Sequence, residues 1–133
     1  MTLLMLERTG RATDALHAVK LVHTIIWSVF ALCICAIPIY ALLGYYGPAA
    51  LLSLIALVEV LVLAFNRWHC PLTRIAARYT NDRRANFDIY LPEWLAQHNK
   101  LIFGVMYVAG LLFTLAGWAG WLRSSWPLAG VRL

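Results

Sequence analysis

The sequence predicts an all-α membrane protein with three transmembrane helices and an amphipathic interfacial helix in the cytoplasmic loop. Three observations carry that expectation. Hydrophobic residues make up 62% of the 133-residue chain and charged residues 13%, against about 45–50% and about 25% in a soluble domain; mean hydropathy is +0.73. Residues 21–43 and 101–122 contain no charged side chain, and each exceeds the roughly 20 residues that cross about 30 Å of hydrocarbon. Residues 49–65 carry one acid, Glu59. That segment is near the lower limit of about 17 residues, and Asn66 to Trp68 extend it. Such segments must be helical, because only a helix satisfies its own backbone groups in lipid.

The whole chain, 1–133, reads as a single membrane domain. Residues 1–20 form a loose amphipathic lead-in, with Leu3, Leu6, Ala15 and Leu16 among the charges of Glu7, Arg8, Arg11 and Asp14. The first span, 21–43, is longer than a signal-peptide core and is followed by no small-x-small cleavage site, so it reads as a signal anchor. Gly44, Gly47 and Pro48 make the outer turn, with Tyr40, Tyr45 and Tyr46 at the depth of an aromatic belt. The second span, 49–67, ends in Asn66-Arg67-Trp68-His69-Cys70. Pro71 suits the first turn of a helix over 71–80. Leu72, Ile75, Ala76 and Tyr79 fall on one side of it, and Arg74 and Arg78 elsewhere. Thr80-Asn81-Asp82 ends it by turn chemistry. Residues 87–91 are apolar and aromatic, but too short to assign. Pro92 and Glu93 open a helix over 92–122 that begins in the headgroup layer and becomes the third span. Trp118, Trp121 and Trp126 mark the outer interface, and 123–133 form an external tail.

The net charge is +5, and the basic residues are unevenly placed. Arg8, Arg11 and Lys20 precede the first span. Arg67, Arg74, Arg78, Arg83, Arg84 and Lys100 lie between the second and third, and only Arg123 and Arg132 follow. The positive-inside rule then puts the N-terminus and the long loop in the cytoplasm and the C-terminus outside a bacterial inner membrane. The loop faces anionic lipid headgroups. Topology accounts for these charges, so nucleic acid is not an expected partner. The three cysteines do not suggest a disulfide framework. Cys33 and Cys35 read as apolar fillers.

Polar groups gather at one depth. His17 and His23 flank the start of the first span, His69 and Cys70 end the second, and His98 precedes the third. Glu59 lies about 10 Å deeper than Asn66 on the same helical face. An acid inside a membrane is a functional candidate by default, and burial favours its protonated form; the alternative is a packing group that bonds a neighbouring helix. Thr24, Ser28, Ala31 and Cys35 form one small-residue stripe, and Gly110, Thr114 and Gly117 another, at spacings that let helices approach closely. His23 groups instead with Trp27, Phe30 and Ile34. It reads either as an interfacial histidine reaching water or as a metal or haem ligand; the first is preferred, because no spaced ligand signature accompanies it.

Cys70 precedes the helix expected at Pro71. A helix N-terminus, with His69 or Arg67 nearby, favours a thiolate, so Cys70 is a candidate reactive thiol, S-acylation site or metal ligand. The structural reading, a sharp turn from a transmembrane to an interfacial helix, is preferred. At Cys70-Pro71-Leu72-Thr73 the sequence resembles the small bacterial membrane proteins grouped as DUF2784. Trp68 before it, and Ile75, Arg78 and Tyr79 after it, are similar to that family's W-x-CPLT-x-L/I pattern, and His23 is similar to a histidine early in its first span. The resemblance implies architecture and candidate positions, not an activity.

Three functional expectations follow. The first is a non-enzymatic accessory or interaction subunit of a membrane complex, joined to another membrane protein or to copies of itself through its small-residue seams. The second is a haem- or metal-binding redox protein using His23, His69 and Cys70 or His98, though neither cofactor is favoured. The third is a proton-coupled transport element using Glu59.

Overall fold

The computed structural model of the chain describes residues 1–120. The end expected for the third span at Leu122, the tail 123–133, and Trp121 and Trp126 lie outside them. Among the described residues all regular structure is helical: α1 (Thr2–Leu42), α2 (Tyr46–Phe65), α3 (Pro71–Ala76) and α4 (Glu93–Trp118). α1, α2 and α4 are long and apolar enough to cross a membrane. In their most apolar windows only 11%, 17% and 22% of residues, respectively, are buried within the chain. Leu32, Leu51 and Leu101 stand 60–70% exposed. Leaving such a side chain in water forgoes about 1.5–3 kcal/mol, so this surface is compatible with a membrane location.

Helix ends follow local chemistry. Gly44, at φ 81°, closes α1: its N–H reaches Ala41 O at 3.1 Å, and the Tyr45 N–H reaches Tyr40 O at 2.9 Å. This is the paired C-terminal closure for which glycine is suited. α2 then starts at Tyr46, ahead of the expected residue 49, because Pro48 is still within the first turn, where amides need no partner. The lead-in 1–20 and the span 21–43 are one continuous helix, Thr2–Leu42, which runs through both Gly10 and Pro38.

α3 departs from the expectation in length and in face. It stops at Ala76, not at residue 80, since the Arg83 guanidinium takes the carbonyls of Ala77 and Thr80. Ala76 is buried, Leu72 and Thr73 are half-buried, and Ile75 and Tyr79 are exposed. The side turned inward is therefore set by Thr73 as much as by the apolar residues.

The described residues divide into two compact units, residues 1–28 with 62–99 and residues 29–61 with 100–120. In the second unit, α4 presents Gly110, Thr114 and Gly117, all buried. A Cβ on Gly110 would lie 3.3 Å from Ile37 Cγ2, and one on Gly117 2.8 Å from the Tyr46 ring. α2 contributes its own buried series, Ala49, Ser53 and Ala56, and Tyr107 Oη donates to Ser53 O at 3.0 Å. The hydroxyls of Ser53 and Thr114 bond the carbonyl four residues back. These helices pack through small residues, where close backbone approach replaces the hydrophobic drive that lipid does not supply.

A candidate thiol–imidazole–carboxylate site

The first unit holds the site. α2 ends in a turn with two consecutive left-handed residues, Arg67 (φ 56°) and Trp68 (φ 62°), a conformation that costs a non-glycine residue about 1–2 kcal/mol. Asn66 holds the turn: its Nδ2 donates to His69 O at 2.6 Å, and the His69 N–H returns to Asn66 O at 3.1 Å. The chain emerges at Cys70, extended at φ −65°, ψ 140°, and Pro71 starts α3. Cys70 occupies the cap position, but its side chain makes no cap hydrogen bond. The thiol lies close enough to His23 of α1 to influence its ring.

His23 is itself fixed from the loop before α4. Its Nδ1 donates to Asp88 O at 3.0 Å and lies 3.3 Å from Asp88 Oδ2. The two side chains are 13% and 7% exposed. Thr73 Oγ1 donates to the same Asp88 carboxylate. Cys70 and Thr73 are three residues apart at the start of α3, and the Thr73 hydroxyl ties that start to Asp88. Burial pushes the Asp88 carboxyl up, but the bonds from His23 and Thr73, with the charge on a protonated His23, outweigh it and hold the group below the usual carboxylate range.

The segment carrying Asp88 is pinned at several points. Asn86 Nδ2 donates to Leu91 O at 3.0 Å, and Ile89 is buried beside Asp88. The Tyr90 N–H donates to Thr24 Oγ1 at 3.0 Å, its hydroxyl meets His17 Nδ1 at 2.9 Å, and Lys20 Nζ stands 4.6 Å from its ring centre. His17 and Thr24 lie on one side of α1, two turns apart, so a short loop docks along that side. Upstream, Asp82 caps its own turn and pairs with Arg84 at 2.8 Å. That guanidinium holds the exposed Asp82 carboxyl down to about 2.

Of the candidates read from sequence, the structure brings His23 and Cys70 together. Asn66 serves the turn beside them. His69 and His98 are exposed, and their Nδ1 atoms bond nearby main-chain carbonyls, of Arg67 at 2.8 Å and Trp94 at 2.7 Å. Among the described residues, no three His, Cys, Asp or Glu side chains are grouped to hold a metal ion. Glu59 belongs to the second unit, half-buried on α2. The stripe of Thr24, Ser28, Ala31 and Cys35 is half-buried, with Thr24 drawn into the loop contact. Asp88, Thr73 and Tyr90 were not among the site candidates; the legible signal was a lone acid, Asp88, inside the apolar run Phe87-Asp88-Ile89-Tyr90-Leu91.

No protein-family model, no curated protein and no solved structure matches this chain.

The His23–Asp88 pair therefore stands on its own geometry, with Nδ1 engaged by Asp88 and Cys70 nearby. A nucleophile next to a base that is oriented by a third group is the arrangement that activates thiols and hydroxyls for covalent chemistry.

Proposed function

We propose that this is a small integral membrane protein whose working group is the Cys70 thiol, activated by His23 and oriented by Asp88. The observation that carries the reading is His23 held by the Asp88 main-chain and side-chain oxygens on one ring nitrogen, with Cys70 close by. The protein sits in a bacterial inner membrane with its N-terminus and the loop of residues 66–100 on the cytoplasmic side, as the placement of arginine and lysine indicates. That side is reducing, which keeps a lone thiol free. The exposed arginines 67, 74, 78, 83 and 84 meet anionic headgroups.

The accessory-subunit reading relied on the small-residue seams as partner surfaces. Gly110 and Gly117 pack inside the chain against Ile37 and Tyr46, which leaves the half-buried stripe of Thr24, Ser28, Ala31 and Cys35 as the seam for a partner or a second copy.

The test is the rate of Cys70 alkylation by iodoacetamide at neutral pH, in the full chain in vesicles, compared between the native protein, His23→Ala and Asp88→Asn. Both substitutions are expected to slow it. Equal rates in the native protein and His23→Ala would sink the reading.

A further inference from the structure

The end of α2 and α3 turn an exposed face away from the chain. Phe65 is 88% exposed and Trp68 58%, and Ile75 and Tyr79 are exposed with them. Arg67, Arg74 and Arg78 stand exposed among these side chains. Ala76 is buried and Leu72 and Thr73 are half-buried, so α3 has one side against the chain and one away from it. Past Ala76 the chain keeps turning, with the Arg78 N–H on Ile75 O at 3.1 Å and the Tyr79 N–H on Ala76 O at 3.0 Å. Arg78 and Tyr79 are thereby kept beside Arg74 and Ile75.

Two observations say what covers this face. The first is charge. No acidic residue occurs from Phe65 to Tyr79, and among the described residues the guanidinium groups of Arg67, Arg74 and Arg78 have no hydrogen-bond or ion-pair partner. Arg83 and Arg84, by contrast, engage the chain itself: Arg83 the carbonyls of Ala77, Thr80 and Asp82, and Arg84 the Asp82 carboxylate. Three unpaired cations with no acid among them match an anionic surface. The second observation is the backbone. Arg67 and Trp68 both hold a left-handed φ, which disfavours any residue with a Cβ, and such strain collects at functional positions. What these two residues supply, where glycine would relieve the strain, are exposed side chains, one cationic and one aromatic. That pairing suits the boundary between hydrocarbon and water. α2 is long and apolar enough to cross a membrane and ends at Phe65, so in a bilayer this face begins where the hydrocarbon stops.

We infer that residues 65–79 form an anchor for an anionic phospholipid surface, with Arg67, Arg74 and Arg78 as its cationic contacts and Phe65 and Trp68 seated in the interface. The anchor rests on the membrane location proposed above and on nothing in the chemistry of Cys70. The general pull of a basic loop toward lipid becomes here a fixed point of contact. Thr73 lies within the anchored segment and donates to Asp88, so the anchor also holds α3 against the loop that carries Asp88.

The experiment is backbone hydrogen exchange of the full chain in nanodiscs, one set of phosphatidylcholine alone and one with phosphatidylglycerol added. The amides read are those of residues 73–79, with α2 as the internal reference. Each arginine near an anionic surface is worth about fivefold, so three raise protection in the anionic discs by on the order of a hundredfold. In 1 M salt, where the reach of charge falls to about 3 Å, the gain is expected to vanish. The triple variant Arg67→Gln, Arg74→Gln, Arg78→Gln loses it as well, whereas an equal loss of charge at Arg8, Arg11 and Lys100, outside the face, keeps it. Equal protection in the two kinds of disc overturns the anchor. So does an equal loss in both triple variants, which leaves only an overall attraction between a basic chain and lipid. Protection missing from both discs but present in native membranes would give the face to an acidic protein and overturn the lipid assignment. The salt comparison uses the unaltered chain, so a variant that fails to fold does not blunt the test. A chain that enters neither disc overturns the membrane reading and the anchor with it. Cys70 alkylation is read separately: loss of its His23 dependence leaves the anchor standing, and failure of the anchor leaves the thiol reading standing.

Discussion

Asp88 is the residue on which the site's pH behaviour turns. Its carboxyl is held below the usual range in the folded chain, so between the unfolded and folded values the unfolded state binds more protons. The stability this contributes is full above the ordinary carboxylate range, near pH 4, and is lost as pH falls through the lower folded value. Unfolding followed from pH 6 to pH 3 should therefore show falling stability, with a shallower slope in Asp88→Asn. Asp82 is lowered as well, but it is exposed and its pair with Arg84 is screened by solvent; Asp82→Asn should leave the slope close to that of the native chain. Thr73→Val keeps the shape of the side chain and removes the donor to Asp88. It should cost about 1–3 kcal/mol and slow Cys70 alkylation, an effect that simple loss of packing would not produce. His23 and Cys70 were both legible as candidates because each is a polar group at a membrane boundary. Asp88 was not, because periodicity fixes the depth of a residue and its side of a helix, but not where an irregular loop folds back.

At the scale of elements, two local features invite measurement. Arg67 and Trp68 hold a left-handed turn without glycine. Arg67→Gly removes about 1–2 kcal/mol of steric cost and adds roughly 0.5–1 kcal/mol of unfolded-state entropy. The net expectation is a chain no less stable than the native one; clear destabilisation in a thermal melt would mean that the arginine side chain itself holds the turn. In the α4 seam the two glycines differ. A methyl on Gly117 meets the far end of the Tyr46 ring, which can swing, whereas one on Gly110 meets the branched carbon of Ile37, which is fully buried. Gly110→Leu should therefore destabilise by about 1–3 kcal/mol or more, and Gly117→Ala by less, in detergent unfolding. The seam on α4 was readable from its Gly-x-x-x-Thr-x-x-Gly spacing. Its counterpart Ala49, Ser53 and Ala56 on α2 was not, since it is diluted among leucines and valines that point elsewhere.

For the whole molecule, the three apolar helices were legible because length and apolar content suffice to identify them. How they meet depends on azimuth, which those quantities do not encode. Orientation has a direct test. A cysteine placed at Tyr45, in the turn between α1 and α2, should react in intact cells with a membrane-impermeant maleimide, and one at Asn81 only after the cells are opened. The reverse pattern would invert the topology and put Cys70 on the oxidising side.

His23 and Asp88 stand 65 residues apart in the chain, with Cys70 between them, and this ordering bears on biogenesis. A nascent chain carries its imidazole into the membrane first, then its thiol, and its carboxylate last, shortly before the third long helix is made. Until Asp88 leaves the ribosome and its loop docks on α1, the imidazole lacks its bonds to Asp88. On the reading proposed above, reactivity at Cys70 is thus a timer that starts when insertion is nearly complete. In a series of chains arrested at successive lengths, it should switch on only once the segment through Tyr90 has emerged.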